Sequence, residues 1–317
     1  MSKFSKDSFL ITKNYINLPA ETSVVILFYF YTRIKDPEFL MLREKTAADV
    51  LGLKGRIIIA KEGINVTLEG SKEMIERYIN HLKGDKRFKK IDVKWSIGNG
   101  NVFPKLQVKI RDEIVSQKFG KHINPQTLTG RHLSAKELYK WYREQKDDFI
   151  ILDMRSKYET MCGVFDKTID IDVEASRDLV KSKELEGIKK AEAEGKKIVT
   201  VCTGGVRCEK MSAYLIDIGL NKKNVYQLQG GIHSYMQEFP AEDFQGTLYT
   251  FDGRKTMHFG GERKIIGKCF KCDISSEEVY DVLDDDIHEH QRIICGNCVL
   301  DFPSARRGNI YRNKISN

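Results

Sequence analysis

Seven cysteines stand out among 317 residues, because three places in the chain set them where sulfur chemistry is possible. The first is "VCTGGVRCEK", Val201 to Lys210. An apolar run, Ile198–Val201, stops at Cys202; Thr203, Gly204, Gly205, Val206 and Arg207 follow, then Cys208 and a helical pattern. Beyond the carboxyl end of a buried parallel strand, Cys202 sits where α/β proteins bind ligands. Two glycines let the backbone turn so that N–H groups point at the sulfur, and such a nest beside a helix N-terminus favours an anion. Arg207 adds a positive charge, and all three influences lower a thiol pKa and give a nucleophilic thiolate. The bland alternative is a glycine-rich turn that happens to bury a cysteine. Cys208, expected on the first helical turn, can either resolve an oxidised or persulfidated Cys202 or simply pack.

The second and third places are "CFKC", Cys269–Cys272, and "CGNC", Cys295–Cys298, separated by 22 residues. Two Cys-x-x-Cys knuckles at that distance suit one tetrahedral zinc held by four thiolates, a closed and therefore structural site. Between them, His288, His290 and nearby aspartates offer a two-histidine-one-carboxylate iron site only in principle, since the segment reads as an acidic, solvated loop. Asp153 and Arg155 close another apolar strand, where they either order the Cys202 loop or form a structural ion pair. No Gly-x-Gly-x-x-Gly motif for a flavin or nicotinamide is found.

These groups need elements to position them. In the first part, Val24–Tyr31 reads as a strand, Asp36–Leu51 as a helix, and Arg56–Ala60 and Ile64–Glu69 as two strands. Ser71 caps a helix whose apolar residues recur three or four apart, and Ile91–Ile97 is a further strand. The order βαββαβ predicts a ferredoxin-like α+β domain over residues 1–125, with one sheet face open to RNA or a small ligand. Lys121–His132 reads as a linker. A capping box, Ser134 to Glu137, opens the next helix, and apolar runs at Asp148–Arg155, Ile198–Val201 and Val225–Leu228 alternate with helical segments. Residues 126–246 are thus a parallel-sheet α/β domain. Residues 247–317 hold four cysteines and too little core to fold without a metal staple. The fold class is therefore α/β multidomain.

Charge is distributed unevenly. Residues 1–125 carry 23 Lys and Arg against 14 Asp and Glu, so the whole excess of the chain's +8 sits in the first third. Its densest part holds Lys86, Arg87, Lys89 and Lys90, which suggests either a polyanion partner such as RNA or a solvated face. No run approaches the ~18 apolar residues of a membrane span, and the first residues lack a signal-peptide core, so a cytoplasmic protein with reduced thiols is expected.

A strand ending in Cys-x-x-Gly-x-Arg before a helix resembles the active-site loop of rhodanese domains, and "LDMRSKYETMCGVF" and "VYQLQGGIHSY" resemble that fold's other segments. The longer string "CTGGVRCEK", with "AKEGINVTLEG", "DEIVSQKF" and "YTFDGRKTMHF" in the same order, resembles the tRNA uridine hydroxylase family, rhodanese-domain proteins with an additional N-terminal domain. Val66, Val164 and Gly253 depart from the usual residues. The resemblance implies 5-hydroxylation of the wobble uridine, position 34 of certain tRNAs, with molecular oxygen as co-substrate. It also implies Cys202 as the catalytic thiol, Thr203–Arg207 as its cradle, and the tRNA anticodon stem-loop as partner. No obligate protein partner is evident. The rhodanese loop by itself implies a different enzyme, a sulfurtransferase moving sulfane sulfur from thiosulfate or a persulfide through Cys202. A zinc-bearing RNA-binding protein without catalysis is the third reading.

Overall fold

The computed structural model describes residues 15–306 except 121, 145–147, 170–175, 263 and 285–287. Its first part is built on strand β1 (Ser23–Tyr31), helix α1 (Pro37–Val50), β2 (Lys54–Ala60), β3 (Gly63–Ser71), helix α2 (Lys72–Lys83), β4 (Lys94–Ile97) and β5 (Leu106–Ile110). The sheet order is β4-β1-β3-β2-β5, antiparallel except for the parallel β2–β5 pair. The first four strands and two helices are the ferredoxin-like unit that the sequence predicts; β5 is an added edge strand. Local chemistry explains the helices. Asp36 accepts from Phe39 N at 2.9 Å ahead of Pro37, and Ser71 accepts from Met74 N at 3.4 Å.

Alternation in β1 sorts its side chains. Val24, Ile26 and Phe28 join the core under α1 and α2, with Ile75, Tyr78 and Leu82. Val25, Leu27 and Tyr29 therefore face the opposite side. The open face is real, but it looks into the protein rather than into solvent, as described below. The expected strand Ile91–Ile97 is shorter, because a 3-10 turn at Lys86–Phe88 precedes it and Ile91 N still bonds Phe88 O at 3.3 Å.

The central part comprises β6 (Arg131–Leu133), α3 (Ala135–Glu144), β7 (Phe149–Asp153), α4 (Lys157–Thr160), β8 (Gly163–Phe165), α5 (Glu184–Ala193), β9 (Lys197–Val201), α6 (Val206–Asp217), β10 (Val225–Leu228) and α7 (Gly231–Glu238). Strands β6-β10-β9-β7 form an all-parallel sheet. Its two faces carry separate cores. Leu138, Val199, Val201 and Tyr235 pack on one side, and Leu185, Ile198, Cys202 and Met211 on the other. The end of the expected linker, Arg131–His132, is drawn into β6 by pairing with Tyr226 and Gln227. Phe119 and Ile123 also pack into the second of these cores. The capping box holds: Ser134 N donates to Glu137 Oε2 at 2.8 Å, and Glu137 N to Ser134 Oγ at 3.2 Å.

Three short pairings follow. Strand β11 (Phe244–Gly246) pairs with β8, β12 (Leu248–Tyr249) with β13 (Thr256–Met257), and β14 (Val279–Asp284) with β15 (His288–Ile293). The last hairpin stands over the cysteine cluster. The side chains of His288 and His290 lie outside the described residues. Among the described residues no helix is long and apolar enough to cross a membrane.

Candidate active site

Cys202 follows β9 directly and is fully buried. The loop after it is held from below by α7, whose Ile232 N donates to Cys202 O (2.9 Å) and His233 N to Thr203 O (3.0 Å). A Cβ on Gly231 would lie 2.5 Å from Cys202 O, so this approach requires glycine. Gly205 adopts φ 102°, a left-handed conformation that turns its N–H onto Cys202 Sγ at 3.1 Å. This turn also starts α6 at Val206, two residues before the expected helix start.

Burial is the largest influence on the Cys202 thiol and opposes ionisation. A hydrogen bond from Cys208, the Arg207 charge, and the N–H groups of Arg207 and Gly205 together outweigh it and bring the pKa down to about 6. Cys208 goes the other way. Burial, its hydrogen bond to Cys202 and the Cys202 charge hold it well above the usual thiol range. The two cysteines are thus pushed in opposite directions, Cys202 toward the thiolate and Cys208 toward the protonated thiol that donates to it.

Arg207 does not reach freely toward a ligand. Its guanidinium forks onto Glu159, with Nη1–Oε2 at 2.5 Å and Nη2–Oε1 at 2.8 Å, and Glu159 is wholly buried. The Thr203 hydroxyl donates to Glu159 Oε1 at 3.3 Å. Asp153 and Arg155 lie behind this pair. Arg155 binds Asp153 through Nε and Nη2 and donates to the carbonyls of Glu159 (3.3 Å) and Gly163 (2.6 Å). They therefore brace the segment that presents Glu159, as a buried structural ion pair.

The first sheet roofs the loop. A Cβ on Gly204 would meet Leu27 Cδ2 at 2.8 Å, and one on Gly205 would meet Tyr29 Oη at 2.9 Å. The Tyr29 hydroxyl donates to Glu209 (3.2 Å) and the Tyr31 hydroxyl to Val206 O (3.2 Å). Glu209 is buried, which pushes its carboxyl up, but bonds from His132, Thr129 and Gln227 outweigh burial and hold it below the usual range. Lys210, also buried, binds Glu62 (2.9 Å) and Glu113 (2.6 Å) of the first part of the chain. Arg254 ties the tail to the same sheet through Ser96 Oγ and Ile97 O, both at 2.9 Å.

Between roof and loop lies a cavity of about 1390 Å³. Cys202, Thr203, Gly204, Val206 and Arg207 form its floor, and Val25, Leu27, Tyr29, Arg56, Ile58 and Thr67 its roof. His233 lines it too. Burial first, then the charges of Lys94 and Arg254, press its pKa down to about 3, so this imidazole is neutral. Phe251 stands at the wall with the Arg207 guanidinium 5.7 Å from its ring centre. Lys86, Arg87, Lys89 and Lys90 do not line the cavity. They sit on the turn after α2, on the helix-covered side of the sheet, where Arg87 binds Asp85 at 2.6 Å.

The sulfur atoms of Cys269, Cys272, Cys295 and Cys298 all lie within 4.8 Å of one another. Cys272 and Cys295 are 3.6 Å apart, and Cys295 N donates to Cys269 Sγ at 3.3 Å. Four sulfurs around a tetrahedral ion with bonds near 2.3 Å stand about 3.8 Å apart, so the donor set fits such an ion.

Of the groups that build the site, Glu159, Glu209, Lys210, Tyr29 and His233 carry no individual sequence signal for a functional role, save that Ser156 to Glu159 reads as a capping box. Their partners lie far off in the chain, as Tyr29 and Glu209 do.

Residues 23–114 match the UPF0176 acylphosphatase like domain, and residues 134–238 the Rhodanese-like domain. Proteins named tRNA uridine(34) hydroxylase are similar over most of the chain. The one from Cytophaga hutchinsonii is 38% identical across 86% of this chain and 85% of its own length. Those of Arthrobacter sp. (39%, 78% and 85%) and Corynebacterium jeikeium (34%, 90% and 92%) are comparable.

Proposed function

The chain belongs to the tRNA uridine(34) hydroxylase family, and from that premise we propose that its reaction is hydroxylation of uridine 34 of tRNA in the cavity above Cys202. The observation that carries this reading is the construction of the cavity: the family's two matched domains each supply one wall, and neither encloses Cys202 alone. A sulfurtransferase needs only the loop. The match to hydroxylases includes the roof as well.

Cys202 is the nucleophile of the site, supplied as thiolate by Gly205 N–H, Cys208 and Arg207. Because the sulfur is fully buried, a base reaches it only when splayed out of its stack, which an anticodon loop permits. Val25, Leu27 and Ile58 offer an apolar ceiling to such a base, and the neutral His233 a polar wall. Hydroxylation replaces a ring C–H by C–OH, a two-electron oxidation: molecular oxygen, the co-substrate, supplies the inserted atom, and its second atom leaves as water with two protons and two electrons from an external reductant. The tRNA substrate assigns the work to the cytoplasm. Cys269, Cys272, Cys295 and Cys298 would hold zinc, which as a closed four-thiolate site staples the β14–β15 hairpin to the body and leaves no position for substrate.

The test is nucleoside mass spectrometry of tRNA from a deletion strain carrying either the wild-type gene or Cys202→Ser. The wild type restores 5-hydroxyuridine and the variant does not. Restoration by Cys202→Ser would point to a non-catalytic RNA-binding protein. Rapid turnover of thiosulfate with unchanged tRNA would favour sulfur transfer.

A further inference from the structure

Strand β5 and its flanks read Lys105-Leu-Gln-Val-Lys-Ile-Arg111, polar at every odd position and apolar at every even one. Leu106 and Val108 pack against the core of the first sheet, so the odd positions project from its opposite, cavity-side face. The register sets Arg56 beside Gln107 and Ile58 beside Lys109, which adds Arg56 to the same face. Arg56, Ile58 and Arg111 also line the cavity that contains Cys202. Six residue steps separate Lys105 from Arg111, a row about 20 Å long whose Arg111 end lines the cavity and whose middle runs beside Arg56 and Ile58, which line it too.

This row lacks counter-charges. Among the described residues no carboxylate pairs with Arg56, Lys105, Lys109 or Arg111, and the Arg111 side chain donates only to the carbonyl of Ile110. Lys109 is held below the usual ammonium range by burial and then by Arg111, Arg56 and Lys105, cations crowded without an anion. Lysines on an edge strand also discourage strand addition, but that purpose asks nothing of Arg56 on the neighbouring strand, nor of continuity with the cavity.

We propose that Lys105, Lys109 and Arg111, with Arg56 beside them on the neighbouring strand, form the track for the tRNA phosphates that flank the nucleotide whose base enters the cavity. This rests on the tRNA reading above and places the backbone contacts on β5. The denser Lys86–Lys90 run lies on the other side of the sheet. Alternate side chains about 6.6 Å apart suit successive phosphates of a single strand, each contact neutralising one charge.

Binding of the full chain to an anticodon stem-loop RNA, measured against salt, tests it. The variant K105Q/K109Q/R111Q should flatten the log–log salt slope by about 2, roughly 0.7 to 0.9 per lost contact. The affinity lost between 50 and 200 mM salt then shrinks by roughly 20-fold. K86Q/R87Q/K89Q/K90Q should leave the slope as in wild type, and K105R/K109R should keep it, which separates charge from misfolding. An unchanged slope in the β5 variant, or a flattened one only in the Lys86–Lys90 variant, overturns the track while leaving the tRNA reading intact. Failure of the wild type to bind the RNA overturns both.

Discussion

Replacing Cys208 tests whether the thiolate is made by the loop as argued. The Cys202 thiol has its pKa brought down to about 6 against burial, and the bond from Cys208 is the largest of the influences that bring it down. At that value roughly nine-tenths of Cys202 is ionised at pH 7 and roughly one-tenth at pH 5. A hydrogen bond to a charged group is worth about 1.5–3 kcal/mol, and 1.36 kcal/mol corresponds to one pH unit. Cys208→Ala should therefore move the Cys202 midpoint up by about one to two units, while Cys208→Ser, which keeps a donor, should move it much less. The assay is ultraviolet thiolate absorbance against pH, each protein read as a difference from its counterpart with Cys202→Ser so that the four tail cysteines cancel. The acid limb of tRNA hydroxylation should shift in parallel. A Cys208→Ala midpoint equal to or below the wild-type value would refute the account, and so would a wild-type midpoint at the ordinary thiol position.

Glu159→Gln should cost about 3–5 kcal/mol in denaturant unfolding, because it leaves the buried Arg207 guanidinium without its counter-charge. Gly205→Ala should cost at least about 1–2 kcal/mol for the left-handed backbone, and more as the new methyl meets Tyr29; unchanged stability would contradict the close packing of loop and roof. His132 has its pKa raised, chiefly by its bond to Glu209, so its stabilising contribution is fully present below the unfolded value near 6.5 and lost as pH rises through the folded value. His132→Gln should remove that part of the stability–pH slope, read from unfolding midpoints across this range. Elemental analysis should find one zinc per chain, lost in Cys295→Ser, and chelation should lower the melting temperature.

The periodic elements were readable in the sequence because their causes are local. Caps at Ser71 and Ser134, alternation in β1 and apolar parallel strands identified the ferredoxin-like unit and the α/β sheet. The cysteine spacing identified both the loop and the tail cluster, since nests and knuckles are built from neighbouring residues. Strand β5 also had a legible alternation, but its charged side chains masked a half-buried edge strand as a polar stretch.

The sequence by itself therefore determined the units of the fold, the cysteine loop that the structure sets on a cavity and the overall positive charge of the first third. It could not determine how that charge is distributed over the two faces of the first sheet or what surrounds the thiol. Only the tertiary structure turned the open face of the first sheet onto the rhodanese loop, committed Arg207 to Glu159, and placed β5 rather than the Lys86–Lys90 turn beside the cavity. The physical reason is distance along the chain. Tyr29 and Glu209 meet across 180 residues, and the packing and desolvation that set such a contact leave no trace in the sequence around either one.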